Sequence, residues 1–238
     1  MGRIRRYRTA LSRNRRSRGF GIHSPYAYDF VRNVLRERLP YYNYAYLNQL
    51  RDIIVTASAR YPRHPRVMSY SHAKMLFRIA NHFCPDTILQ LGTNYGYSTA
   101  SVMSASRKSR LHLYEPQLER YPIVAEVLQP FLDDIDCYND LATALHDYDA
   151  ARGDSRPFVV VGSLNEADYT PASDYLRDNV LNDEGVIILR NIARDKTMKR
   201  LWEDLKQATH YGHTYTNEQL AVIVAIPHLP PQHFFLWF

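Results

Sequence analysis

The chain has 238 residues, enough for one sizeable core and too few for two comfortable domains. Hydrophobic residues make up 45% and charged residues 23%, which excludes a disordered chain, and two cysteines without a His cluster exclude a zinc site or a disulfide framework. Eight arginines between Arg3 and Arg18 precede the first acid, Asp29; without them the formal charge of +6 becomes −2, so the basicity belongs to the N-terminal arm and not to the folded body.

Residues 1–22 read as a basic, flexible arm, with too few apolar positions for a helix face. A nucleic acid or an acidic partner reached through residues 3–18 is the partner expectation this arm carries. Ser24 followed by Pro25 predicts a helix start, and Phe30, Val31, Val34 and Leu35 form its apolar face. A second helix is predicted over 43–58 through Leu47, Leu50 and Ile54. Pro62 and Pro65 mark a linker, and a third helix over about 71–83 directs Met75, Leu76 and Ile79 inward. Residues 23–85 thus predict an N-terminal helical cap, ahead of an α/β domain over 86–238.

From residue 86 short apolar runs alternate with helical patterns, the signature of βαβ units and a parallel sheet. Strands are predicted at Thr87 to Leu91, Leu111 to Tyr114, Asp136 to Asn139, Phe158 to Val161 and Val186 to Leu189. The segments at His213 to Thr216 and Leu220 to Ile226 are too close for a parallel crossover and must pair antiparallel, and Gln232 to Phe238 offers an edge strand. The fold class is therefore α/β and Rossmann-like, a mostly parallel seven-stranded sheet ending in an antiparallel C-terminal hairpin. No run of about 18 apolar residues occurs, so no membrane span is expected and the cytoplasm is the expected location. The oligomeric state stays open, a homodimer included.

The stretch Thr87-Ile-Leu-Gln-Leu-Gly92-Thr-Asn-Tyr-Gly96-Tyr-Ser-Thr99 runs from an apolar strand through a glycine turn into a helix. Gly92 lets the backbone turn sharply against a ligand, and the free amides of the helix start favour a carboxylate or phosphate. Its GxxxG spacing differs from the GxGxxG of dinucleotide folds. About twenty residues on, Glu115 closes the next strand, where an acid can accept both hydroxyls of a ribose. In register, the two features point to nucleoside binding.

Gln90-Leu-Gly92-Thr-Asn-Tyr-Gly96-Tyr-Ser98, with Glu115 after the second strand, resembles the cofactor motifs of the small O-methyltransferases related to catechol O-methyltransferase, class I enzymes dependent on S-adenosylmethionine (SAM). The chain is also similar to bacterial class I methyltransferase-like proteins that begin with Gly-Phe-Gly-x-His-Ser-Pro, here Gly19 to Pro25, and end in a His-Phe strand, here His233-Phe234. The resemblance implies a SAM-dependent transferase, with cofactor contacts from Gln90, Gly92, Thr93, Gly96, Tyr97, Ser98, Glu115 and Asp140. Asp140 serves equally well as a helix N-cap.

The family's first motif commonly has an acid where this chain has Gln90. Its metal-dependent branch has carboxylates after the fourth and fifth strands, where this chain has Gly162 and Arg190-Asn191. A glycine, a guanidinium and one amide do not ligate magnesium or calcium, so no metal is expected. Two readings follow: catalysis has been lost, with Arg190 in a surface ion pair and the fold serving as a binding module; or Arg190 replaces a cation, orienting an anionic acceptor or stabilising an oxyanion. Arg190 and Asn191 are thus the catalytic candidates, together with His23 as an acid or base if the N-terminal segment folds over the pocket. The alternative for His23 is a local hydrogen bond at the first helix. Tyr41 to Tyr46 line an aromatic acceptor site or simply pack.

Overall fold

The computed structural model describes residues 22–61, 66–106 and 108–238. The arginines of the arm, the Gly19–Gly21 part of the N-terminal segment and the prolines at 62 and 65 lie outside the described residues.

Three helices come first: α1 (Pro25–Phe30), α2 (Asn43–Ser58) and α3 (Tyr70–Phe83). Ser24 caps α1 by accepting from the Ala27 amide at 3.3 Å while Pro25 occupies the first turn, as the Ser-Pro pair predicts. The helix then widens into a π-helical turn over Val31–Leu35. Arg78 on α3 closes that end: Nε donates to the Val34 carbonyl at 2.6 Å and Nη2 to the Leu35 carbonyl at 2.7 Å. A buried cation thus satisfies carbonyls that the helix leaves without partners.

The βα alternation follows as β1 (Thr87–Leu91), α4 (Tyr97–Met103), β2 (Arg110–Tyr114), α5 (Ile123–Leu128), β3 (Ile135–Tyr138), α6 (Leu141–Arg152), β4 (Phe158–Val161), α7 (Tyr169–Tyr175), β5 (Val186–Arg190) and α8 (Lys196–Ala208). The chain ends in β6 (His213–Thr216), β7 (Leu220–Val224) and β8 (Gln232–Phe235). The sheet order is β3-β2-β1-β4-β5-β7-β6-β8. The first five strands are parallel, β7 is antiparallel to both β5 and β6, and β8 is parallel to β6. The count is eight where the sequence predicts seven. The extra strand is the C-terminal edge segment, which gains its partner from the exposed side of β6.

Strands β1, β4, β5 and β7 are buried along their whole length. Their alternate residues feed two apolar layers. Ile88, Val160, Ile188 and Val222 join the side chains of α1 to α5, and Leu89, Val159, Ile187 and Ile223 join those of α6 to α8. The buried apolar side chains described in the helices of 23–85 belong to the first of these clusters. This stacking aligns the carboxyl ends of β1, β2, β4 and β5 along one rim. Backbone bonds from Gly92 N to Tyr114 O at 2.9 Å, Gly162 N to Leu91 O at 2.8 Å and Glu115 N to Tyr138 O at 3.0 Å continue the ladder past the strand ends.

Candidate functional site

At the rim, Gly92 leaves β1 with φ +75°, and a Cβ there would lie 2.2 Å from Ser163 Oγ and 2.5 Å from the Ser163 carbonyl. Only glycine lets the loop pass so close to the end of β4. Gly96, at φ +78°, opens α4, and a Cβ there would press on Val127 at 2.9 Å. Between them the Thr93 and Asn94 amides donate to Glu115 Oε2 at 2.9 and 3.2 Å. The acid at the end of β2 and the glycine loop of β1 therefore meet directly.

Gln90 is fully buried behind the loop. Its Nε2 donates to the Gly92 carbonyl at 3.2 Å and to Ser98 Oγ at 3.0 Å, and its Oε1 accepts from Thr99 Oγ1 at 3.1 Å. Thr93 Oγ1 lies 2.5 Å from Thr99 Oγ1. Gln90, Thr93 and Ser98 thus knit strand, loop and helix together. Tyr97 turns the other way, its hydroxyl donating to the Leu47 carbonyl of α2 at 2.8 Å, so it buttresses the loop from the cap side.

Two hollows flank this contact. One, lined by Glu115, Gln117, Leu118, Tyr138 and Asn139 among others, opens beyond the ends of β2 and β3. The other is a cavity of about 360 Å3 over the ends of β1, β4 and β5, walled by Arg51 of α2, His72 of α3, Asn94, Ser163, Arg190 and Asn191, with Arg66, Ser69, Arg194, Asp195 and Gln219 around them. Asn94, whose amide binds Glu115, stands between the two.

Arg190 corrects the expectation of a surface ion pair. It is 7% exposed, makes no ion pair or hydrogen bond among the described residues, and its Nη1 is buried without a partner. Burial lowers its pKa to about 10. Asn191 adopts φ +61° and donates to the Gly162 carbonyl at 2.8 Å, tying the ends of β4 and β5 together. His72 is held neutral: burial first, and the Arg190 charge second, lower its pKa to about 4. Its Nε2 lies 3.5 Å from Asn217 Nδ2, which donates to the Phe238 carbonyl at 3.0 Å.

His23 does not join this group. It is exposed before α1, whose Tyr26 packs on His213 at the start of β6, the opposite end of the sheet from the glycine loop. The expected fold-over of the N-terminal segment falls on residues outside those described. Asp140 takes the N-cap role, accepting from the Thr143 amide at 2.8 Å and its hydroxyl at 2.7 Å. Of the tyrosines at 41–46, Tyr41 and Tyr44 pack edge-on against Phe77, Tyr42 is fully exposed, and none lines the cavity.

No family model matches the sequence, and no curated protein matches it. Solved structures do match. An O-methyltransferase from Bacillus cereus in complex with SAH superposes with a TM-score of 0.54 at 17% identity, covering 82% of this chain and 96% of that one. An SAH-bound methyltransferase from Podospora anserina gives 0.56 at 14% identity, over 80% and 99% of the two chains. A SAM complex of an O-methyltransferase from Streptomyces achromogenes gives 0.52 at 15% identity, over 84% and 96%. The chain has the class I methyltransferase fold.

Within that fold the donor set of the rim does not suit a metal. Among the described residues no three His, Cys, Asp or Glu side chains converge. The cavity instead carries a buried guanidinium, which repels a divalent cation, and a carboxylate at 162 is barred because a Cβ there would lie 2.4 Å from the Gly92 carbonyl. Arg51 and His72 are cavity residues that sequence reasoning missed. Both sit on cap helices, and nothing in their local sequence separates them from packing residues.

Proposed function

We propose that the protein is a SAM-dependent methyltransferase that works without a metal. The observation that carries this reading is the direct contact of Glu115 with the Thr93 and Asn94 amides, flanked by hollows on both sides, on a fold for which three matched structures hold SAM or SAH. Glu115 would hold the ribose, Asn139 would stand beside the adenine, and Gly92, Gly96 and Ser98 would shape the methionine end. Asp140 is left as a cap and Tyr97 as a buttress.

The cofactor supplies a methyl group on a sulfonium sulfur. That methyl group would pass to an oxygen or nitrogen of the acceptor, whose proton would leave to solvent. The chain's part is to position the acceptor and exclude water. His72, neutral and in the cavity wall, accepts a hydrogen bond from an acceptor hydroxyl.

Titration calorimetry with SAH tests the reading. Wild type is expected to bind and to show a raised thermal midpoint, by mass action worth about 2.7 kcal/mol at a hundredfold excess over Kd. Glu115→Ala is expected to lose both effects. A wild-type chain that binds neither SAM nor SAH refutes the proposal. The arm's partner is a separate matter, because residues 3–18 lie outside the described residues.

A further inference from the structure

The cavity over β4 and β5 is strongly cationic. Arg51, Arg66, Arg190 and Arg194 line it against one carboxylate, Asp195. That carboxylate is already engaged, because Asp195 caps α8 by accepting from the Thr197 amide at 2.9 Å and the Met198 amide at 3.2 Å. Arg51 is partly engaged too, its Nε donating to the Met68 carbonyl at 3.2 Å. Arg190 is different in kind: more than nine-tenths buried, facing the cavity, and unpaired. A guanidinium taken out of water without a counter-charge destabilises the folded chain, and an oxyanion placed against it recovers that loss.

The SAM carboxylate is one source of such an oxyanion, but the sheet order argues for a second molecule. Glu115 and the glycine loop stand at the ends of β2 and β1, and Arg190 ends β5, two strands beyond β1. With neighbouring strands about 4.8 Å apart, the backbone of Arg190 stands about 10 Å from that of β1 across the rim, and its side chain turns toward Gly162 at the end of β4, so the guanidinium faces the cavity over β4 and β5. We propose that the molecule receiving the methyl group is an anion, whose carboxylate or phosphate group pairs with Arg190 while Arg51 and Arg194 flank it. This rests on the methyltransferase reading and adds the chemical class of the acceptor.

Calorimetry on the full chain with saturating SAH, at constant ionic strength set by chloride, provides the test, with inorganic phosphate and oxalate as probes. Wild type is expected to bind at least one probe saturably, and the stronger of the two tells phosphate from carboxylate. Arg190→Gln should weaken that binding at least tenfold and Arg190→Lys should restore part of it, with SAH affinity unchanged in both. Exposed Arg194→Gln, which leaves the core intact, should weaken it severalfold. Equal probe binding in wild type and Arg190→Gln, or none in wild type, overturns the proposal. It is also overturned if Arg190→Gln weakens SAH but not 5′-methylthioadenosine, which lacks the carboxylate, since Arg190 then serves the cofactor. Arg190-dependent probe binding in a chain that ignores SAH would retain the anion site and refute the transferase.

Discussion

A side chain with two donors and an acceptor meets a need at position 90 that a carboxylate would not. Gln90 donates to the Gly92 carbonyl and Ser98 hydroxyl and accepts from Thr99, all out of contact with water. Glutamate would set an acceptor against the Gly92 carbonyl and bury a charge, so Gln90→Glu is expected to lower stability in urea by about 1–3 kcal/mol, whereas Gln90→Ala leaves a cavity and loses the loop bond. Gly92→Ala should cost at least as much, about 1–3 kcal/mol for the left-handed backbone alone, because its Cβ also strikes Ser163. The sequence shows that position 90 lacks the usual acid. That the amide is turned inward as a brace was not legible, since it depends on three atoms brought together by the strand, the turn and the helix start. Gly162 is similar: its composition signals a missing carboxylate, while its cause, the Gly92 carbonyl 2.4 Å from any Cβ, is a contact between distant segments.

Among the elements, periodicity and punctuation carried most of the information. The Ser24-Pro25 start, the 43–58 helix, and the strands at Thr87–Leu91, Phe158–Val161 and His213–Thr216 lie where their patterns place them, because the helix presents one apolar face to the first layer while β1 and β4 are short apolar runs that supply alternate residues to both. The π-helical turn at Val31–Leu35 was not readable, because its residues have the spacing of an ordinary helix and its stability comes from Arg78, more than forty positions away. Arg78→Met keeps the volume and removes the donors to the Val34 and Leu35 carbonyls. It is expected to destabilise the chain by about 2–3 kcal/mol, checked by chemical denaturation, with loss of helical circular dichroism at lower denaturant than wild type.

At the scale of the whole molecule, the cavity was the least legible part of the site. Its walls come from positions 51, 72, 94, 163 and 190, joined by no spacing rule, and only the topology gathers them. The same burial gives the fold a pH signature. His72 falls to about 4 from an ordinary 6.5, and burial also lowers His82, His112, His213 and His233. The unfolded chain therefore binds protons that the folded chain refuses. Stability is full above about pH 6.5 and declines as pH falls toward 4. Urea midpoints measured across that window should show the decline, and His72→Gln should flatten part of it. Asn217 also joins the Phe238 carbonyl to the neighbourhood of His72. Any bulky group attached at Phe238 would therefore start beside His72, a wall of the cavity, so ligand titrations are better run with affinity handles placed elsewhere.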